Sequence, residues 1–253
     1  MKKLSNGDLN LIRLQKILSK CGYGSRRSCE ELILEGRVSI DGQIATLGMK
    51  ANPLEQSILL DGQLIAYPSE DTTIIMNKPN GFIVSTKDEN GIPTIYNLLP
   101  YKSNTLRYAG RLDVNTEGLL LFSTDGELIY RLTHPKFEIK KVYEVVIEGR
   151  LSKNAQTQIK HGINLDGTLT KPADVKITRE SNERSVVEIT IHEGRNHQVR
   201  RMFDAIGITI FHLRRISIGP LTLGAMKRGK YKVLSKGELE KLRTTVGISS
   251  RTN

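Results

Sequence analysis

The stretch Gly110 to Gly126, GRLDVNTEGLLLFSTDG, decides how this chain is read. A strand-like approach, Leu106 to Ala109, runs into Arg111-Leu112-Asp113. Asn115-Thr116-Glu117-Gly118 then has the composition of a turn, and Leu119 to Phe122 is an apolar run that reads as a buried strand. Asp113 falls where a strand breaks into a turn, a place at which a scaffold can hold a carboxylate in a cleft. On spacing alone, the same residue also fits a turn position bonded to its own backbone. Glu117 lies within the polar turn and is expected at the surface.

Downstream, Leu128, Ile129 and Leu132 give a helical face that ends at His134-Pro135. Lys141 to Val145 alternates as a strand does, and Ser152 to His161 suggests a helix. The segments around Val175-Lys176-Ile177 and Val187, Ile189, Ile191 are one-sided strands. Glu193 to Arg201 opens another helix, with Asn196 able to cap it and Val199, Met202, Phe203 and Ile206 as its buried face. Upstream, Thr73 to Met76 reads as a strand and Asn77 to Gly81 as a turn. No strand, crossover helix and strand unit repeats, which argues against a doubly wound nucleotide-binding fold.

Near the start, Leu14, Ile17, Leu18 and Cys21 form one helical stripe. Gly22 and Gly24 end it, and Ser25 can cap a second helix carrying Leu32 and Ile33. Arg37 to Ile40 then reads as a strand turning at Asp41-Gly42. Ala66 to Thr72 is polar with one Pro and reads as a linker. The expected organisation is a small module over 1–65, a linker over 66–73, a larger module over 74–243 and a flexible tail over 244–253.

The 253 residues carry a formal net charge of +11, which favours a polyanionic partner. No apolar run approaches a membrane span, so nucleic acid is the better reading than a membrane. The start, MKKLSNGDLNLIRL, lacks an apolar h-region, so no export signal is expected. Two cysteines, Cys21 and Cys29, suggest reduced thiols in a cytoplasmic protein. His192 and His197 are not spaced as a zinc-binding pair, and no glycine-rich nucleotide loop is present, so no metal and no cofactor are expected. Between Gly194 and Lys232 stand nine basic residues: Arg195, Arg200, Arg201, Arg214, Arg215, Lys227, Arg228, Lys230 and Lys232. Asp204 is the one acidic residue among them.

The pattern GRLD-x-x-T-x-G-L-L-L resembles the catalytic signature of the RsuA branch of pseudouridine synthases, whose single Asp matches Asp113. Lys141-x-Tyr143 is similar to the family's K-x-Y, whose ring lies against the target uracil. Gln198-Val199-Arg200 resembles its third motif, whose basic residue pairs with the catalytic Asp. Arg111 matches an Arg that occupies the space left by the flipped nucleotide or holds its phosphate. Asn77-Lys78-Pro79-x-Gly81 is similar to the first motif, with no chemistry assigned to Lys78. Gly91 to Thr94 with Leu98-Leu99-Pro100, and the stretch from Arg214 to Tyr231, resemble the RluB type, which acts on large-subunit rRNA. The N-terminal order of elements resembles the S4 RNA-binding domain, which implies phosphate contacts from Lys16, Arg26, Arg27 and Arg37. The C-terminal basic bias adds Arg195, Arg201, Arg214 and Arg215 as candidate RNA contacts.

The resemblance implies an α+β fold: a small S4-like αα-β module, then a mixed, mostly antiparallel sheet flanked by helices with a central cleft. It implies a monomer that isomerises a uridine of rRNA, most similar to enzymes of the large subunit. Small-subunit rRNA or tRNA substrates are the nearer alternatives. A non-catalytic clamp for ribosome assembly would explain the charge but leaves the three motifs without a task. An RNA methyltransferase lacks its donor loop.

Overall fold

The computed structural model describes residues 11–86, 91–99 and 105–248, and its elements are of the α+β class. The chain divides into two compact units, the first reaching Asp71 and the second beginning at Thr72, with Thr105 grouped with the first.

The first unit contains β1 (Ile12–Arg13), α1 (Leu14–Lys20), α2 (Arg26–Leu34), β2 (Val38–Ile40), β3 (Gln43–Ile44), β4 (Lys50–Ala51), β5 (Ile58–Leu60) and β6 (Gln63–Leu64). The stripe Leu14, Ile17, Leu18 closes on Cys29 and Ile33 of α2, and Val38 and Ile58 complete a separate core. Ser25 caps α2 as expected, its Oγ accepting from Ser28 N at 3.1 Å. Asp41 and Gly42 take φ of 51° and 82°, the paired positive values of a tight hairpin turn between β2 and β3.

The second unit runs β7 (Thr73–Lys78), β8 (Arg107–Tyr108), β9 (Glu117–Ser123), α3 (Gly126–Thr133), β10 (Lys141–Glu148) and α4 (Lys153–His161). The small hairpin β11 (Asn164–Leu165) and β12 (Thr168–Leu169) follows, then β13 (Asp174–Arg179), β14 (Arg184–Ile191) and α5 (Gln198–Ala205). The unit ends with β15 (Ile210–Ile218), β16 (Leu221–Thr222), β17 (Tyr231–Val233) and α6 (Lys236–Thr245). Its main sheet has the order β13-β14-β10-β15-β9-β7-β17, with β8 on β9 and β16 on β15. The β15–β9 pair is parallel and the others are antiparallel, so the sheet is mixed and mostly antiparallel. On one face Tyr143, Val145 and Ile147 of β10 join Val199, Met202 and Phe203 of α5 in a single core. Leu119 and Leu121 of β9 point the other way, into a core with Leu128, Leu132 and Leu242. Alternation along each strand therefore sends Tyr143 to the α5 side.

The two edges of β9 are used differently. β7 pairs along one edge, from Thr73 opposite Ser123 to Lys78 opposite Gly118. The remaining pairing is shared: β15 meets Glu117 and Gly118, while β8 meets Phe122 and Ser123. Between them the sheet opens. Gly118 allows β15 to come this close, because a Cβ there would lie 2.2 Å from the Arg215 carbonyl oxygen and its φ is +108°.

Three expectations are corrected. Glu117 belongs to β9 rather than to the turn and is 5% exposed. Its carboxylate accepts from His212 Nε2 at 2.9 Å and pairs with Arg228 Nε at 3.0 Å. Asn196 does not cap α5. His197 holds that position in the left-handed region, with φ of 48° and no side-chain cap. The chain beyond Thr244 is not loose where it is described: Val246 is buried, and Arg131 Nη1 donates to the carbonyls of Val246 and Gly247 at 3.1 and 2.6 Å. Residues 1–10, Pro100 and 249–253 lie outside the described residues.

Candidate active site

The loop from Gly110 to Thr116 joins β8 to β9 and carries Asp113. Buried Leu112 anchors it, and Thr116 N donates to the Asp113 carbonyl at 3.0 Å to close a turn. Beneath the turn lies Lys78, 0% exposed. Its ammonium donates to the carbonyls of Asp113 at 3.0 Å, Val114 at 3.2 Å, Thr116 at 2.9 Å and Pro79 at 3.0 Å. With three protons for four acceptors, these bonds are shared, and one buried cation gathers the carbonyls of the loop. Burial pushes Lys78 down to about 8, and the negative charges of Asp113 and Glu117 oppose that shift. The lysine of the N-K-P-x-G stretch, unassigned from sequence, thus fixes the backbone of Asp113.

From the flank, Arg200 Nη2 donates to the Asn115 carbonyl at 2.7 Å and reaches Thr116 Oγ1 at 3.5 Å. The expected Arg200–Asp113 pair is not formed. The Asp113 carboxylate faces His197 instead, with Nδ1 3.3 Å from Oδ2. The geometry of α5 explains the exchange. His197, held before the first turn, covers the carboxylate, while Arg200 reaches the next part of the loop. Sequence reasoning weighed His197 only as a metal ligand. Its place beside the Q-V-R stretch was the available signal.

A cavity of about 200 Å³ opens beside Asp113, lined also by Arg111, Lys141, Tyr143, His197 and Arg215. Arg111 is exposed at its rim, and the Asp113 side chain is 32% exposed. Tyr143, 8% exposed, presents its ring from β10. Arg215 is 2% exposed and lies within the site rather than at a surface that could meet phosphate. Its Nε donates to the Leu119 carbonyl at 2.8 Å, where β15 parts from β9, and its Nη1 lies 3.4 Å from the Tyr143 hydroxyl. Lys141 Nζ donates to the Ile139 carbonyl at 3.1 Å. Burial, and secondarily the charge of Arg215, lower Lys141 to about 8.

Other candidate RNA-binding side chains are engaged within the protein. Arg195 donates through Nη1 to the Thr168 carbonyl at 3.1 Å and through Nη2 to the Leu169 carbonyl at 2.6 Å. Arg201 pairs with Asp166, so both arginines hold the β11–β12 hairpin against α5. Arg214 lies 3.4 Å from Glu144 on the sheet. In the first unit, Arg37 grips Asp61 through Nε at 2.8 Å and Nη2 at 2.7 Å, whereas Lys16, Arg26 and Arg27 are exposed.

The site thus consists of one partly exposed carboxylate on a clamped loop beside a small cavity with an aromatic wall. Residues 72–205 match the family model described as RNA pseudouridylate synthase, and residues 12–54 match the S4 domain. A protein of Aquifex aeolicus named as an uncharacterized RNA pseudouridine synthase is 39% identical over 239 residues, 94% of this chain and 96% of that protein. The ribosomal large subunit pseudouridine synthase B of Bacillus subtilis is 37% identical, over 91% of this chain and 95% of its own length. A crystal structure of a pseudouridylate synthase superposes with a TM-score of 0.65 at 34% identity, covering 91% of this chain and 99% of the other. This chain belongs to the RNA pseudouridine synthase family and carries an S4 domain. It is an enzyme of the isomerase class.

Proposed function

We propose that this enzyme converts uridine to pseudouridine in large-subunit ribosomal RNA, as an RluB-type member of the RsuA branch, with Asp113 as its catalytic carboxylate. The observation that carries the reading is Asp113 on its clamped loop at the cavity, with the Tyr143 ring as a wall and Arg111 at the rim. The Bacillus subtilis relative, alike over nearly its whole length, supports the choice of RNA. In this reading the protein acts as a cytoplasmic monomer.

Isomerisation requires the N1–C1′ bond to break, uracil to turn in place and C5 to bond to C1′. A carboxylate beside C1′ can attack it, assist departure of the base or take a sugar proton. A stacked base is out of reach, so the nucleotide turns out of the RNA into the cavity. Tyr143 then stacks on uracil, worth about 1–3 kcal/mol by analogy with aromatic–base stacking. Arg111 holds the everted nucleotide or fills the space it leaves. Lys16, Arg26 and Arg27 contribute phosphate contacts that position the RNA without choosing its sequence. The reaction exchanges no electrons and imports no group, so the scheme contains no cofactor.

Mapping pseudouridines in rRNA from cells with and without this protein tests the reading. At least one large-subunit uridine is expected to lose modification when the protein is absent and regain it with wild type but not with Asp113→Asn. Loss confined to small-subunit rRNA or tRNA would move the substrate. An unchanged map would support the assembly clamp.

A further inference from the structure

Two cations that line the cavity, buried Arg215 and half-buried Lys141, have no carboxylate within ion-pair distance among the described residues. Arg215 spends Nε on a carbonyl and Nη1 on the Tyr143 hydroxyl, and Nη2 has no hydrogen-bond partner among the described residues. Its Cζ lies 5.9 Å from the centre of the Tyr143 ring. Lys141, two residues before Tyr143 on β10, lines the same cavity and is satisfied by one main-chain carbonyl. No carboxylate pairs with either among the described residues. Arg243 with Asp125 and Arg214 with Glu144 are cations of this unit that do have counter-charges, and Lys78 is held by four carbonyls. Holding two like charges in one cavity, one buried and one half-buried, is costly unless an anion joins them. Burial first, and the neighbouring charge of Arg215 second, push Lys141 toward deprotonation.

We propose that Arg215 and Lys141 form a cationic subsite for the negative charge that uracil acquires when it leaves C1′. This rests on the synthase reading above. When N1–C1′ breaks, the bonding pair stays with the base, and the resulting anion spreads its charge over N1 and the ring carbonyl oxygens. C5 then supplies an electron pair to C1′, the C5 hydrogen leaves as a proton and N1 gains one, so the product is an isomer. The charge exists only between these steps. Donors fixed in advance and shielded from water stabilise it without reorganising, which is where such groups act most strongly. The sheet supplies the rigidity: Gly118 seats the Arg215 backbone, and Nε on Leu119 fixes the guanidinium. Lys141 and Arg215 are thus assigned as catalytic residues that touch the base rather than the phosphate.

The test is single-turnover loss of the target nucleoside from an rRNA fragment that the wild type modifies, carrying uridine or 5-fluorouridine there. Fluorine at C5 leaves no proton to depart, so disappearance of the parent nucleoside, not formation of pseudouridine, is timed on both RNAs. Full-length Lys141→Gln and Arg215→Lys are used, and digested nucleosides are separated by chromatography. Fluorine makes the departing base a weaker base, so it needs less help. With uridine, Arg215→Lys is expected to lose about 100-fold in rate and Lys141→Gln about 10-fold, with RNA affinity kept. With 5-fluorouridine both losses are expected to shrink several-fold. Equal losses on the two bases would overturn the proposal. So would intact rates with weakened binding, including to RNA whose target nucleotide lacks a base, since that pattern marks a phosphate site. Lys141→Gln alters one main-chain hydrogen bond and carries the test by itself if Arg215→Lys does not fold. Failure of the synthase reading is distinct, because the wild type would then convert neither RNA.

Discussion

The two units use positive charge in opposite ways. In the first, Lys16, Arg26 and Arg27 stand exposed, in water and in salt. In the second, Lys78, Arg215 and Lys141 are withdrawn into the protein around one loop and one cavity. Exposed cations are screened and interchangeable, which suits a polyanion that must be held but not read. Withdrawn cations act at full strength on the few atoms they touch, which suits a reaction. Net charge counts both kinds alike, so +11 announces an RNA partner without saying which residues do chemistry.

The comparison is tested most severely at Lys78. Replacing it by Met removes a buried ammonium and leaves four carbonyls short of a donor, so unfolding should become easier by about 3–5 kcal/mol. Denaturant titration measures this loss. At a temperature where the variant stays folded, the rate should fall while RNA affinity holds. Next in size is the surface pair. Arg26→Ala with Arg27→Ala should weaken RNA binding and lower the slope of log affinity against log salt by about one for each phosphate no longer neutralised. The single-turnover rate at saturation should stay unchanged. A changed rate there would erase the distinction between the units.

The smallest effect is a pH dependence of stability. The folded Lys141 titrates near 8, below its ordinary 10.5, because burial disfavours its charge. Below pH 8 both folded and unfolded chains keep the proton, and the cost of the buried charge is present in full. Between 8 and 10.5 the unfolded chain holds more protons, so this residue makes the protein more stable as pH rises. Lys78 acts in the same direction. Comparing wild type with Lys141→Gln across that window should show a smaller rise in the variant.

Local pattern was enough for much of the architecture. The stripes of α1 and α5, the alternation of β10, β13 and β14, and the cap at Ser25 depend on neighbours a few residues away. What escaped depends on residues brought together from afar. Glu117 looks like a polar turn residue until β15 and Arg228 come alongside, roughly a hundred positions later. Lys78 reads as part of a turn because its four acceptors lie mostly on another loop. Arg200 and His197 are three residues apart, and which of them faces Asp113 is decided by the left-handed backbone at His197, which periodicity cannot see. Arg215, read as an RNA contact from a run of basic residues, is instead drawn inside by Gly118.

The most direct test follows tritium at C5 of uracil in an rRNA fragment, comparing wild type with Asp113→Asn at equal, saturating occupancy of the RNA. The account predicts that wild type releases the label and that the variant binds as tightly but releases none. Release by both proteins at the same rate would show that a lone carboxylate on this loop is not what drives the reaction.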